Sequence, residues 1–191
     1  PYDYASYLSG SIEIYNAIRH GSLHELVSAL SNTYRPPLVP LSALPFYFMF
    51  GTSYRSAMLT NLLYIAILVV CTYKLARMSH SIEVGLIVAG IIWAVPGVMN
   101  YARVFGLDLP TAAMVSAGLY LTVASNGFES RRASIALGVV IGVGLLTKWS
   151  YFVFVTPMVA MELIQHRQPI DMRNMIISGI LAAAIASPWY I

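Results

Sequence analysis

The chain has 191 residues and carries 11 Lys and Arg against 8 Asp and Glu, so 10% of it is charged, where an ordinary soluble domain has about 25%. Apolar residues make up 58% and the mean hydropathy is +0.71, which excludes a disordered tail, a basic nucleic-acid-binding domain and a typical soluble enzyme. The single cysteine, Cys71, excludes a disulfide framework and a cysteine-based zinc site. An integral membrane protein remains.

Residues 1–35 hold Asp3, Glu13, Arg19, His20, His24 and Glu25 among tyrosines and isoleucines. Apolar and aromatic residues at 4, 7, 8, 12, 15 and 18 follow helical spacing. They predict an amphipathic helix over about 3–20, lying in the interface, with Gly21 at its C-terminus. A second short helix is expected over about 23–31. Residues 36–54 are uncharged but contain Pro36, Pro37, Pro40 and Pro45, and a proline costs a helix interior about 3 kcal/mol. The proline pair imposes an extended entry. Residues 38–50 are then expected to run as a helix in the outer leaflet; a full span is the competing reading.

Beyond residue 55 the charges leave long gaps. Residues 56–73, 84–102, 109–128 and 174–191 contain no Asp, Glu, Lys, Arg or His over 18, 19, 20 and 18 residues, and about 20 apolar residues span a bilayer as a helix. Residues 133–147 and 149–161 are shorter gaps separated by Lys148. As one helix they would reach about 43 Å, too long for a span of about 30 Å. Six spans are therefore expected, over about 56–74, 83–102, 109–127, 133–147, 149–165 and 174–190. The chain divides into an extracytoplasmic or interfacial first loop, 1–55, and a transmembrane bundle, 56–191. It begins at Pro1 without an initiator Met and ends inside an apolar segment, so it is expected to be a piece of a longer protein.

Loop charge assigns sides. Cationic loops favour the cytoplasm, and Lys74, Arg77 and His80, then Arg131 and Arg132, then His166, Arg167 and Arg173 form three such clusters. With all three cytoplasmic, residues 1–55, the tip at Arg103 to Asp108 and Lys148 fall together on the opposite face. Ionisable groups at membrane depth are functional candidates by default. Asp108 precedes Pro110 near a helix start, where a carboxylate suits the dipole; a helix cap is the plain alternative. Lys148 interrupts the otherwise uncharged 29-residue stretch 133–161 and would suit a lipid phosphate, unless it merely snorkels. Arg35 stands on the stiff corner before Pro36-Pro37, placed for a bidentate phosphate contact or as an ordinary interfacial arginine. Asp3 alone is a weak signal. Histidines and Cys71 show no metal-ligand spacing, and there is no Walker loop, dinucleotide fingerprint or serine elbow.

Six short segments occur in order: Asp3-Tyr4-Ala5-Ser6-Tyr7, Tyr34-Arg35-Pro36-Pro37-Leu38, Phe50-Gly51-Thr52-Ser53, Tyr101-Ala102-Arg103 through Leu107-Asp108-Leu109-Pro110, Gly144-Leu145-Leu146-Thr147-Lys148 and Ser187-Pro188-Trp189-Tyr190. Together they resemble the polyprenyl-phosphate-dependent membrane glycosyltransferases of the C-type fold, most nearly the protein O-mannosyltransferase and lipid A aminoarabinose transferase group (glycosyltransferase family 39-like). The resemblance implies an all-α, polytopic transmembrane helix bundle with an N-terminal extracytoplasmic amphipathic loop helix. It implies transfer of a sugar from a polyprenyl-phosphate donor to a glycan, lipid or protein acceptor, at the extracytoplasmic face of a multi-pass protein (of the cytoplasmic membrane if bacterial), with no nucleic-acid partner. Asp3 matches the family's first-loop acid and Asp108 its second outer-face acid; these are the catalytic candidates, and a divalent cation is used by some such enzymes. Arg35 and Lys148 match basic residues that contact the donor phosphate, and Arg103 beside Asp108 joins them. The sequence departs from the pattern where Tyr4 follows the loop acid, where Arg35 replaces a common Lys, and where Met58 stands for an Arg. The segment by itself is expected to be inactive. Two alternatives stay open: a transporter or channel fragment, and a non-catalytic membrane subunit, which would leave Asp3, Arg35, Asp108 and Lys148 pointing apart.

Overall fold

The computed structural model describes residues 2–31, 36–166 and 170–190, with side chains from Tyr4 onward in the first stretch. Arg35 therefore lies outside the described residues, and of Asp3 only the backbone is described. Regular structure among the described residues is helical throughout. A first group comprises α1 (Tyr2–His20), α2 (Leu23–Ser31), α3 (Leu38–Phe50) and α4 (Tyr54–Met58). A second comprises α5 (Thr60–Ser79), α6 (Ile82–Ala94), α7 (Pro96–Ala102), α8 (Asp108–Ser125), α9 (Arg131–Leu145), α10 (Tyr151–Gln165) and α11 (Met172–Tyr190).

Helix α1 stops at Gly21, which takes the left-handed φ of 68° that glycine adopts without a Cβ clash. Ser22 then accepts from the Glu25 N–H at 3.2 Å and starts α2. The buried stripe of α1 is Tyr7, Ser11, Ile14, Tyr15 and Ala17, whereas Ile18 is exposed. Ser11 shares the apolar face because both its hydrogen-bonding roles are filled there. Its hydroxyl donates to the Leu8 carbonyl at 2.7 Å, so Tyr47 of α3 donates to it at 2.8 Å. The Tyr15 ring meets Tyr47 edge-on, with centroids 5.8 Å apart. Helix α3 accommodates Pro40 in its first turn, where a missing N–H is an orphan anyway. Its 13 residues reach only about 20 Å.

The bundle runs up and down. Helices α5 and α10 lead away from the end that carries Asp108 and Lys148, as does α8, while α9 and α11 return to it. The core of this layer is Tyr64, Ile65 and Leu68 of α5, Leu109, Ala113 and Met114 of α8, and Tyr151 and Val155 of α10. At the far end, Glu162 accepts from the Gly127 N–H at 3.0 Å and the Asn174 amide donates to the Phe128 carbonyl at 3.0 Å, tying the α8–α9 turn to α10 and α11.

The segment over 83–102, expected as one helix, is two: α6 and α7 meet at Val95 with a bend of 61°. Pro96 is the cause. A proline pushes the residue before it out of the helical region, and Val95 is extended at φ −73°, ψ 115°. Among the described residues one helix, Tyr54–Ser79 taken through the α4–α5 junction, is long and apolar enough to cross a membrane, and the bent α6–α7 pair qualifies if it acts as one span. Helices α9 and α10 have 15 residues each, and α8 and α11 are diluted by polar residues. Several of those polar residues face inward: Thr111, Thr122, Ser125, Asn174 and Ser178 are buried.

Candidate functional site

The break between α9 and α10 builds the site's base. Gly144 allows the Tyr151 ring to lie against the α9 backbone; a Cβ there would fall 2.4 Å from the ring. Tyr151 is fully buried and its hydroxyl donates to the Met114 carbonyl of α8 at 3.3 Å. The turn between them closes on itself. Thr147 donates from its N–H and its hydroxyl to the Gly144 carbonyl at 3.0 and 2.5 Å, and the Tyr151 N–H donates to the Lys148 carbonyl at 2.9 Å. Lys148 is left at the outside of a stiff corner.

The opposite wall is the segment between α7 and α8. Phe105 and Leu107 insert beneath α1 and α3, into a core with Tyr7, Tyr15, Val39, Ala43, Tyr47 and Ala57. Asp108 follows at the first residue of α8. It is not the N-cap, which is Leu107, and it makes no capping bond. Its carboxylate accepts instead from Lys148 Nζ at 3.2 Å, with the two side chains 38% (Lys148) and 43% (Asp108) exposed. A pair so accessible contributes about 1 kcal/mol or less. That is weak enough for Lys148 to exchange Asp108 for an anionic ligand at little cost. Arg103 caps α7 and is exposed; among the described residues it has no ion-pair partner.

Two contacts bring the chain's N-terminal portion to this place. A Cβ on Gly106 would lie 2.8 Å from the Tyr4 ring, so α1 begins against the segment leading to Asp108. The Leu38 N–H donates to the Leu146 carbonyl at 3.1 Å, which docks the start of α3 on the Lys148 turn. Asp3 and Arg35 themselves lie outside the described side chains; their neighbours Tyr4 and Pro36 stand at this end. Pro36, Trp149, Trp189 and Tyr190 line a recess of about 370 Å³, closed in part by the Tyr190 hydroxyl donating to the Leu145 carbonyl at 2.8 Å.

Sequence reasoning missed Tyr151 and Asn61, both uncharged and so invisible in a search for gaps between charges. Asn61 is buried and its amide donates to the carbonyls of Ala102 and Val104, each at 3.0 Å. A lone Asn within 18 apolar or hydroxyl residues was the available signal. Among the described residues no three His, Cys, Asp or Glu side chains gather as metal ligands.

Apolar helices collect a lysine, a carboxylate and an aromatic recess at one end of the bundle, which makes a polar site at its surface. The profile of the dolichyl-phosphate-mannose-protein mannosyltransferase family matches residues 34–191, and the chain belongs to this family of membrane glycosyltransferases. The match covers Arg103, Asp108 and Lys148 and begins after Asp3. No curated protein and no solved structure matches the chain.

Proposed function

We propose that this chain forms part of a glycosyltransferase that moves a sugar from a polyprenyl-phosphate donor to an acceptor hydroxyl, at the extracytoplasmic face of a membrane crossed several times by its helices. The observation that carries the proposal is the Lys148–Asp108 pair at 3.2 Å, with the recess of Pro36, Trp149, Trp189 and Tyr190 beginning at the residue next to Lys148. A lipid-linked phosphate needs a cation at the membrane surface and an apolar groove beside it. The assignment of faces is supported by the other end of the bundle, where Lys74, Arg77, Arg131, Arg132 and Arg173 stand, as cytoplasmic ends favour cations.

In the reaction the acceptor oxygen attacks the anomeric carbon, the bond from that carbon to the phosphate oxygen breaks, and polyprenyl phosphate departs. Lys148 leaves Asp108 to meet the phosphate and stabilises the charge that grows on it, with Arg35 and Arg103 as further cations. Asp3 takes the acceptor's proton as general base. Asp108, released from Lys148, is free to orient the acceptor. The transporter alternative calls for polar groups midway along broken helices; Asp108 and Lys148 stand instead where helices begin and end.

The test is sugar transfer by the full-length protein from a polyprenyl-phosphate donor. Asp3→Asn should lower turnover about 10²–10⁴-fold, the usual worth of a general base. The same turnover in wild type and Asp3→Asn removes that role, and no transfer from any polyprenyl-phosphate sugar removes the proposal.

A further inference from the structure

We infer that Asn61 is a positioning residue: from α5 it holds the 102–107 segment in the shape that presents Asp108 to Lys148. The inference rests on the proposed glycosyl transfer for its functional consequence and on the hydrogen bonds for its physical basis. The last carbonyls of a helix have no intrahelical partner. Here three consecutive ones at the end of α7 and just beyond are each taken by a side chain of the α4–α5 region. Ala102 and Val104 receive the two hydrogens of Asn61 Nδ2 at 3.0 Å each, and Arg103 receives the Tyr54 hydroxyl at 3.3 Å.

Asn is chemically suited to this. One amide nitrogen carries two donors, so a single side chain can bridge carbonyls two residues apart. Asp in its place would present no donor, and Leu would keep the volume without the bonds. Asn61 is 2% exposed, so water cannot substitute for a missing partner. Four residues beyond the clamp, Asp108 opens α8. Between them Phe105 and Leu107 are buried under α1 and α3, and the Leu107 carbonyl accepts from both the N–H and the hydroxyl of Thr111, at 2.9 and 2.7 Å. The segment is thus fixed at both ends, by Asn61 on one side and Thr111 on the other, with the apolar anchors between. Removing the Asn61 end frees it to shift relative to Lys148, whose turn is held not by Asn61 but by Tyr151, bonded farther along α8 at Met114. A misplacement of about 1 Å at a reacting site can cost about 10²-fold in rate.

The experiment compares full-length wild type with Asn61→Leu, Lys148→Ala and the double variant. Backbone amide exchange is read over 99–112 and over 126–134, and kcat and KM for a polyprenyl-phosphate sugar are measured in parallel. Asn61→Leu should speed exchange in 102–108 about tenfold or more and leave 126–134 unchanged. It should lower kcat about 10–10²-fold with KM for the donor within about twofold. The double variant should lose no more than Lys148→Ala alone, because the two residues serve one arrangement. Tyr54→Phe, at an exposed position, gives a milder form of the same local signature and decides the matter if the Asn61 variants misfold. Unchanged exchange in 102–108, or an equal rise in both regions, or losses that multiply in the double variant, overturn the inference. Wild type that transfers no sugar from polyprenyl phosphate defeats the functional proposal instead, a result distinct from active wild type with an unaffected Asn61→Leu.

Discussion

Replacing Gly144 by alanine adds one methyl group at the point where the Lys148 turn is folded. The new Cβ would lie 2.4 Å from Tyr151 Cζ and 2.5 Å from Cε1, about 1 Å inside ordinary carbon contact. The ring cannot retreat. Its hydroxyl is bonded to the Met114 carbonyl at 3.3 Å, and the space beyond belongs to α8, where a Cβ on Gly118 would already be 2.8 Å from that hydroxyl. The strain must be taken up by separating α9 from α10, at about 1–3 kcal/mol for overpacking. In a domain of this size that lowers the melting temperature by about 2–4 °C per kcal/mol. Because the same turn carries Lys148, turnover should fall further than stability, by about 10²-fold for a displacement near 1 Å. Gly90→Ala is the control, since nothing lies within 4 Å of a Cβ there, and its helix should gain rather than lose stability. Purified full-length protein in detergent or lipid supports both a melting curve and a transfer assay. Gly144→Ala that melts and turns over like Gly90→Ala would refute the claim that this glycine sets the corner.

Two further predictions concern the fold. Gly138→Ala should destabilise by about 1–3 kcal/mol, since its Cβ would meet the Ser178 carbonyl oxygen at 2.4 Å and the α11 backbone cannot swing aside; Gly179→Ala, with open space around it, should melt at or above wild type, as Gly90→Ala should. Ser11→Ala should cost about 1–3 kcal/mol by leaving the buried Tyr47 hydroxyl without its acceptor. Tyr47→Phe should cost less, and the double variant less than the sum of the two, read from melting curves.

The charge pattern located Lys148 and Asp108 because ionisable side chains are rare in an apolar chain and each interruption shows. It also separated α9 from α10, since the 29-residue stretch 133–161, uncharged but for Lys148, exceeds what one span requires. What it could not show is how the corner is held. Tyr151 and Asn61 act through shape and hydrogen bonds, and neither property leaves a mark in a hydropathy profile. The bend at Val95 was legible in principle from Pro96, but an uncharged run of 19 residues masked it. Ser11 shows the reverse failure: a residue that looks polar by type is buried, because Tyr47 and the Leu8 carbonyl satisfy it. Family membership rests on residues 34–191, so the role proposed for Asp3 rests on the resemblance of its segment to the family's first loop, with α1 beginning against Gly106 beside it.

The proposed transfer turns on Lys148 meeting the phosphate of a lipid-linked donor. Single-turnover transfer by full-length protein carrying Lys148→Ala, compared with wild type and Asp108→Asn, tests it directly. Lys148→Ala should slow the chemical step about 10²–10³-fold, the usual cost of losing one group that stabilises a developing anion. Asp108→Asn should leave the lysine in place and lose less. Lys148→Ala that transfers sugar within about twofold of wild type would rule out that contact.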